Sequence, residues 1–120
     1  MRSVLFFLMS NKVDFVFDQL GLINLIKKEL SPLFSQTSKI ILFGSLARQN
    51  FTVHSDIDVL IVSDEIEKKS VEAHLEKFLD LGISYDIVLM SEEQFELRKK
   101  TLLVREALRE GIVLWEKKKL

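Results

Sequence analysis

Two stretches of the chain hold residues whose types and spacing point to phosphate and metal chemistry. The first runs Leu42-Phe43-Gly44-Ser45-Leu46-Ala47-Arg48, and the second Ser55-Asp56-Ile57-Asp58-Val59-Leu60-Ile61-Val62. Alternate side chains of a strand share a face, so Asp56 and Asp58 project the same way, about 7 Å apart along the chain. Two ionised carboxylates in a largely apolar strand repel each other and lose hydration. A divalent cation offsets both effects. All-oxygen carboxylate ligands suit magnesium, which keeps waters and accepts phosphate oxygens.

Gly44 and Ser45 supply the complementary half. A strand that ends in Gly-Ser and turns into a helix presents backbone N–H groups where an anion can dock. Gly44 lets a phosphate approach the backbone closely, and the Ser45 hydroxyl adds a donor. Arg48, one turn on, offers a forked cation to the same oxygens. Phosphates on one side and metal-holding carboxylates on the other form the geometry of nucleotidyl transfer. Asp86 is a third candidate: if its strand neighbours 57–62, it joins the other two carboxylates and can help deprotonate an attacking hydroxyl.

The elements that must position these groups are legible from apolar patterning. Residues 39–43 are a short apolar, β-branched run that stops at Gly44 and predict a buried strand; residues 46–48 begin a short helix or turn, and 50–55 a polar loop. Residues 57–62 predict a central strand. Asp64 predicts the cap of a helix through about Leu81, with Ile66, Val71, Leu75, Phe78 and Leu79 inward and Gly82 closing it. Residues 85–90 predict a third strand. Ser91 with Gln94 makes a capping box, and apolar positions then continue as one helical pattern to Gly111. Residues 112–115 predict a last short strand. Upstream, Leu22, Ile23, Leu25, Ile26 and Leu30 form a helical stripe after an interruption at Gly21, and Ser31-Pro32 should end it. Residues 10–20 fit a helix and a strand equally. Strands alternating with helices predict an α/β domain, a mixed β-sheet with flanking helices.

Gly44-Ser45, ten intervening positions (46–55), then Asp56-Ile57-Asp58 with apolar flanks resembles the signature of the polymerase-β-type nucleotidyltransferase superfamily. Within it, the short length and the form LFGSLAR…SDIDVLIV resemble the minimal nucleotidyltransferases (MNT). The resemblance extends from about residue 22 to 116 and includes the closing REALREGIVLWE. It implies the nucleotidyltransferase fold, Asp56 and Asp58 as magnesium ligands, Asp86 as third carboxylate, and Gly44 and Ser45 as triphosphate binders. It also implies a HEPN-domain ribonuclease toxin as partner, the chain acting as antitoxin, in some members by adenylylating the toxin on tyrosine. Two features depart from the family: Gln49 stands where many members have Gly, and residues 1–20 have no counterpart.

Composition narrows the chemistry. The chain has 120 residues, one domain's worth, with 48% hydrophobic residues for a core, no Cys and a net charge of -1. Absent Cys excludes disulfides and thiolate metal sites. Balanced charge gives no global field toward nucleic acid, and no basic stripe predicts direct nucleic-acid binding. Arg2 with apolar residues 4–9 has the outline of a signal peptide, yet the run is shorter than a signal core, no small-residue cleavage site follows, and Asp14 and Asp18 arrive soon after. The run is also too short to span a bilayer, so the expectation is a soluble, cytoplasmic protein.

The division expected is an apolar leader over 1–20, a nucleotidyltransferase domain over 21–116 and a basic tail over 117–120. The leader is expected to serve a homo-oligomer or partner contact, or else to fold back on the domain. His54 reads as a polar loop residue, His74 as surface, and Trp115 and the Phe residues as core or interface.

The activity expected is transfer of AMP from ATP to an acceptor hydroxyl, with two magnesium ions assisting. Little chain remains for a substrate domain, so the acceptor must be small or brought by another protein. Two alternatives fit the same residues: a binding module that neutralises a HEPN partner by occlusion, and a small-molecule nucleotidyltransferase.

Overall fold

In the computed structural model, which describes residues 19–48, 52 and 54–118, the apolar runs assemble into one four-stranded sheet. Its strands are β1 (Lys39–Phe43), β2 (Ile57–Val62), β3 (Tyr85–Met90) and β4 (Ile112–Glu116), in the order β3-β2-β1-β4. β1 runs antiparallel to β2 and β4, and β2 runs parallel to β3. The sheet is mixed and β2 is interior, as its apolar run predicts. A parallel pair needs a crossover, and helix α2 (Lys68–Asp80) provides it.

The two faces of the sheet are covered unequally. Ile40, Leu42, Ile57, Val59, Ile61 and Ile87 pack under helix α1 (Gln19–Leu30) and α2, which bury Leu22, Ile26 and Leu30, and Val71, Leu75 and Phe78. A Lys77–Glu29 ion pair of 2.7 Å joins the two helices at the surface. On the other face Ile41, Leu60, Val62 and Met90 pack under Phe95 of α3 (Glu92–Leu97) and Val104 and Ala107 of α4 (Leu102–Glu110). Strand alternation puts Asp58 and Asp86 on this second face, beyond the end that these short helices cover. The thin cover is what leaves polar side chains accessible there.

Several local signals hold. Ser91 and Gln94 form the full capping box. Gly82 closes α2 in a left-handed turn, φ 82°, with Ile83 N–H bonding Phe78 O at 2.8 Å and Gly82 N–H bonding Leu79 O at 3.0 Å. Trp115 is a structural residue: it stacks on Phe34 at 4.8 Å and donates its indole N–H to Thr37 O at 3.2 Å.

Other expectations need correction. Gly21 lies inside α1 and interrupts nothing, while Ser31-Pro32 ends that helix in a 3-10 segment, Ser31–Gln36. Asp64 does not cap α2, which starts at Lys68 behind Glu67. The Ser63 hydroxyl accepts from Glu65 N–H and Ile66 N–H and shapes that turn, leaving the Asp64 carboxylate to accept from Glu92 N–H at 3.1 Å, at the start of α3. The continuous helix expected from Ser91 to Gly111 is two helices. The chain turns after Arg98, whose carbonyl receives both Thr101 N–H and its hydroxyl, and Thr101 adopts the extended conformation that begins α4. Residues 1–18 and 119–120 lie outside the described residues, and with them the expectations for the leader and the end of the tail. No helix among the described residues is long and apolar enough to cross a membrane.

Candidate active site

β1 ends where its neighbour β2 begins, with Phe43 opposite Asp58, so the turn after β1 is delivered beside the first carboxylates. Gly44 makes that delivery possible. Its φ of 75° and ψ of -159° belong to a region that side-chain-bearing residues avoid. A Cβ built there would strike the Asp58 carboxylate, whose Cγ would stand only 3.1 Å away. The backbone then enters a 3-10 turn, Ser45–Ala47, closed by Ala47 N–H to Gly44 O at 3.1 Å and Arg48 N–H to Ser45 O at 3.2 Å. The leading amides of such a turn make no bond inside it, and the Ser45 side chain is half-buried beside them. From α1, the Gln19 amide pins the turn by donating to Leu46 O at 2.7 Å and Arg48 O at 3.0 Å.

Asp58 and Asp86 are direct partners in the parallel β2–β3 register, so their side chains leave the same face side by side. Asp56 stands two residues before Asp58. It is exposed, as is Asp86, whereas Asp58 is half-buried. Burial pushes the Asp58 pKa above its ordinary value, the Asp86 and Asp56 carboxylates push it further, and the Arg48 guanidinium opposes them. Thus Gly44, Arg48, Asp56, Asp58 and Asp86 share one end of one face, with Ser45 directly after Gly44. Arg48 also meets Glu110 at the end of α4, Nε to Oε2 3.3 Å, so it is divided between the site and that helix. His54 stays in its loop, exposed, its amide bonding Thr52 Oγ1 at 3.2 Å.

Ser84 is a site neighbour not singled out from the sequence. Its carbonyl accepts from Ile57 N–H at 2.9 Å, and its hydroxyl donates to Asp56 Oδ1. The signal available was its position two residues before Asp86, on the strand expected to flank Asp58. Gln19 and Glu110 carried no such signal. A cavity of about 830 Å³ lined by Lys39, Val62, Phe95 and Lys99 lies at the opposite end of the sheet, away from the carboxylates.

Among the described residues, no three His, Cys, Asp or Glu side chains are drawn together as a ready-made metal cage. The donor set nonetheless fits a hard divalent cation. Asp86 and Asp56 lie close enough to the half-buried Asp58 to disfavour its charge, which a cation would offset, and every donor atom is oxygen.

A mixed four-stranded sheet with flanking helices, presenting a glycine turn and aspartates from adjacent strands at one end, defines an α/β domain. The chain belongs to the nucleotidyltransferase domain family, whose model matches residues 23–114. Over 77 residues it is 39% identical to a Methanocaldococcus jannaschii protein provisionally named protein adenylyltransferase MJ0604, covering 64% of this chain and 77% of the relative. Two solved structures share the fold. One is a chain of a toxin–antitoxin crystal structure with AMP-PNP, TM-score 0.57 and 24% identity over 80% of this chain and 74% of that one. The other belongs to a complex of a tri-AMPylated Shewanella oneidensis HEPN toxin with an MNT antitoxin, TM-score 0.51 and 24% identity over 82% of this chain and 73% of that one.

Proposed function

We propose that this protein transfers AMP from ATP to a hydroxyl of a protein acceptor, and that the acceptor is a HEPN-domain toxin which it thereby silences. The observation that carries the chemistry is the register of Asp58 with Asp86 beside Gly44. The adenylyltransferase name of the Methanocaldococcus relative and the AMPylated toxin of the Shewanella complex support the choice of nucleotide and acceptor.

In this reading the amides after Gly44 and the Ser45 hydroxyl hold the triphosphate, and Arg48 leaves Glu110 in part to face it. Asp56 and Asp58, with Asp86, would hold magnesium, which when bound neutralises phosphate charge and stabilises the attacking and leaving oxygens. The acceptor hydroxyl attacks the α-phosphorus in line, its proton passes to Asp86, and pyrophosphate leaves as the bond to the β-phosphate oxygen breaks. Asp86 suits the acceptor side because it is exposed while its register partner Asp58 is half-buried.

The test uses ATP labelled at the α-phosphate, with a purified HEPN-domain toxin as acceptor. Label is expected on the acceptor with magnesium present, and none with Asp58→Asn. Asp86→Asn is expected to retain ATP binding and lose transfer. Tight toxin binding and inhibition without label would replace transfer by occlusion. Asp86→Asn turning over normally would remove that residue from the reaction.

A further inference from the structure

The carboxylates of the site are not held alike. Asp58 is half-buried and backed by the Gly44 backbone, so its neighbours restrict it. Asp56 is exposed and precedes β2, outside the ladder that steadies the residues after it. An exposed carboxylate on a strand entrance rotates about χ1 and χ2, and repulsion from Asp58 turns it outward. A metal ligand in that position needs something to stop it.

We infer that Ser84 is a positioning residue that sets Asp56 for metal binding. Two contacts between residues distant in sequence lock the entrances of β2 and β3 together: Ile57 N–H to the Ser84 carbonyl at 2.9 Å, and the Ser84 hydroxyl to Asp56 Oδ1. The first fixes where Ser84 stands, and the second fixes how Asp56 is turned. The hydroxyl occupies one carboxylate oxygen and leaves Oδ2 for a cation.

The residue type fits this task. A Lys or Arg would also orient Asp56, but its positive charge would neutralise the site and compete with the cation. A hydroxyl orients the carboxylate without adding charge. Ser84 is exposed, so water could serve its hydroxyl equally well, and its bond to Asp56 is not forced by burial. Partners that orient a metal ligand in this way typically change metal affinity by about 10–100-fold when removed.

This inference rests on the metal-binding reading of Asp56 and Asp58 proposed above. The test uses the full chain with α,β-methylene-ATP, and reads free Mn²⁺ by electron paramagnetic resonance. Ser84→Ala is expected to weaken Mn²⁺ binding by about 10–100-fold. Ser84→Thr, which keeps the hydroxyl, is expected to restore it. The metal-free melting temperature of Ser84→Ala should match wild type. In the transfer assay the alanine variant should need more metal yet recover wild-type kcat when metal saturates.

If Ser84→Ala binds Mn²⁺ as tightly as wild type while Asp58→Asn does not, the role of Ser84 is refuted and the metal site stands. If wild type and Asp58→Asn bind Mn²⁺ alike, both readings fall. A lowered melting temperature that Ser84→Thr does not repair, or a kcat that saturating metal does not recover, assigns Ser84 a structural role and also overturns the inference.

Discussion

The Asp58 charge that the proposed function would use is one that the fold disfavours. Its folded pKa is raised by burial, then by Asp86 and Asp56, so the ionised form is disfavoured in the folded chain. The sign follows directly. At a pH above the raised value the charge weakens the fold; the penalty shrinks as pH falls through that value and vanishes below the ordinary Asp value of 3.8, where folded and unfolded chains are both protonated. Asp58→Asn keeps the shape against Gly44 and removes the charge. In EDTA at neutral pH it should unfold at a higher urea concentration than wild type, with the gain disappearing in acid. A less stable Asn variant at neutral pH would show that Asp58 is satisfied by Arg48 without any cation. Gly44→Ala should behave oppositely. The added methyl meets the Asp58 carboxylate at a backbone angle that Ala avoids, and a loss of about 1–3 kcal/mol is expected, with loss of ATP binding.

At the scale of elements, Gly82 is the instructive contrast to Gly44. Both have positive φ, but a Cβ at Gly82 meets nothing within 4 Å. Gly82→Ala should therefore cost only the backbone term, about 1–2 kcal/mol, and leave ATP affinity unchanged. A change in ATP affinity would couple the end of α2 to the site through β3, which begins three residues later. Gly82, the Ser91–Gln94 box and the four strands were legible in the sequence because each depends on a local pattern: an apolar run, a terminating glycine, a cap with its partner three residues on. The approach of Gly44 to Asp58 was legible through the spacing of the two motifs, each at the end of an apolar run. The misread parts depend on partners distant in sequence. Asp64 turned from α2 to Glu92 because Ser63 already served the intervening turn. The break at Arg98–Thr101 was hidden because Phe95 and Val104 bury against the same cluster, so the apolar pattern continues across two helices as it would along one. Ser84 went unnoticed because its hydroxyl finds Asp56 only after β2 and β3 pair.

For the molecule as a whole, Asp56, Asp58 and Asp86 place like charge at one end of the sheet, which Arg48 offsets only in part, since the Asp58 pKa remains raised. Ligand binding should relieve it, and the stabilisation should depend on ATP and magnesium together. A ligand at about 100 times its Kd adds about 2.7 kcal/mol to the folded state. In a chain of this size that corresponds to a rise in melting temperature on the order of 10 °C. ATP in EDTA should give a smaller rise, because its phosphates then face Asp56, Asp58 and Asp86, with Arg48 the cation among the described residues that offsets their charge. Magnesium without nucleotide should fall between, since the carboxylates alone supply few ligands for an ion that prefers six. With a net charge of -1, the full Mg-ATP shift should change little between low and physiological salt, unlike binding driven by a general positive field. Differential scanning fluorimetry across these four conditions decides the matter. Equal shifts with ATP in magnesium and in EDTA would remove the metal from the binding step and leave the Gly44 turn as an anion site alone.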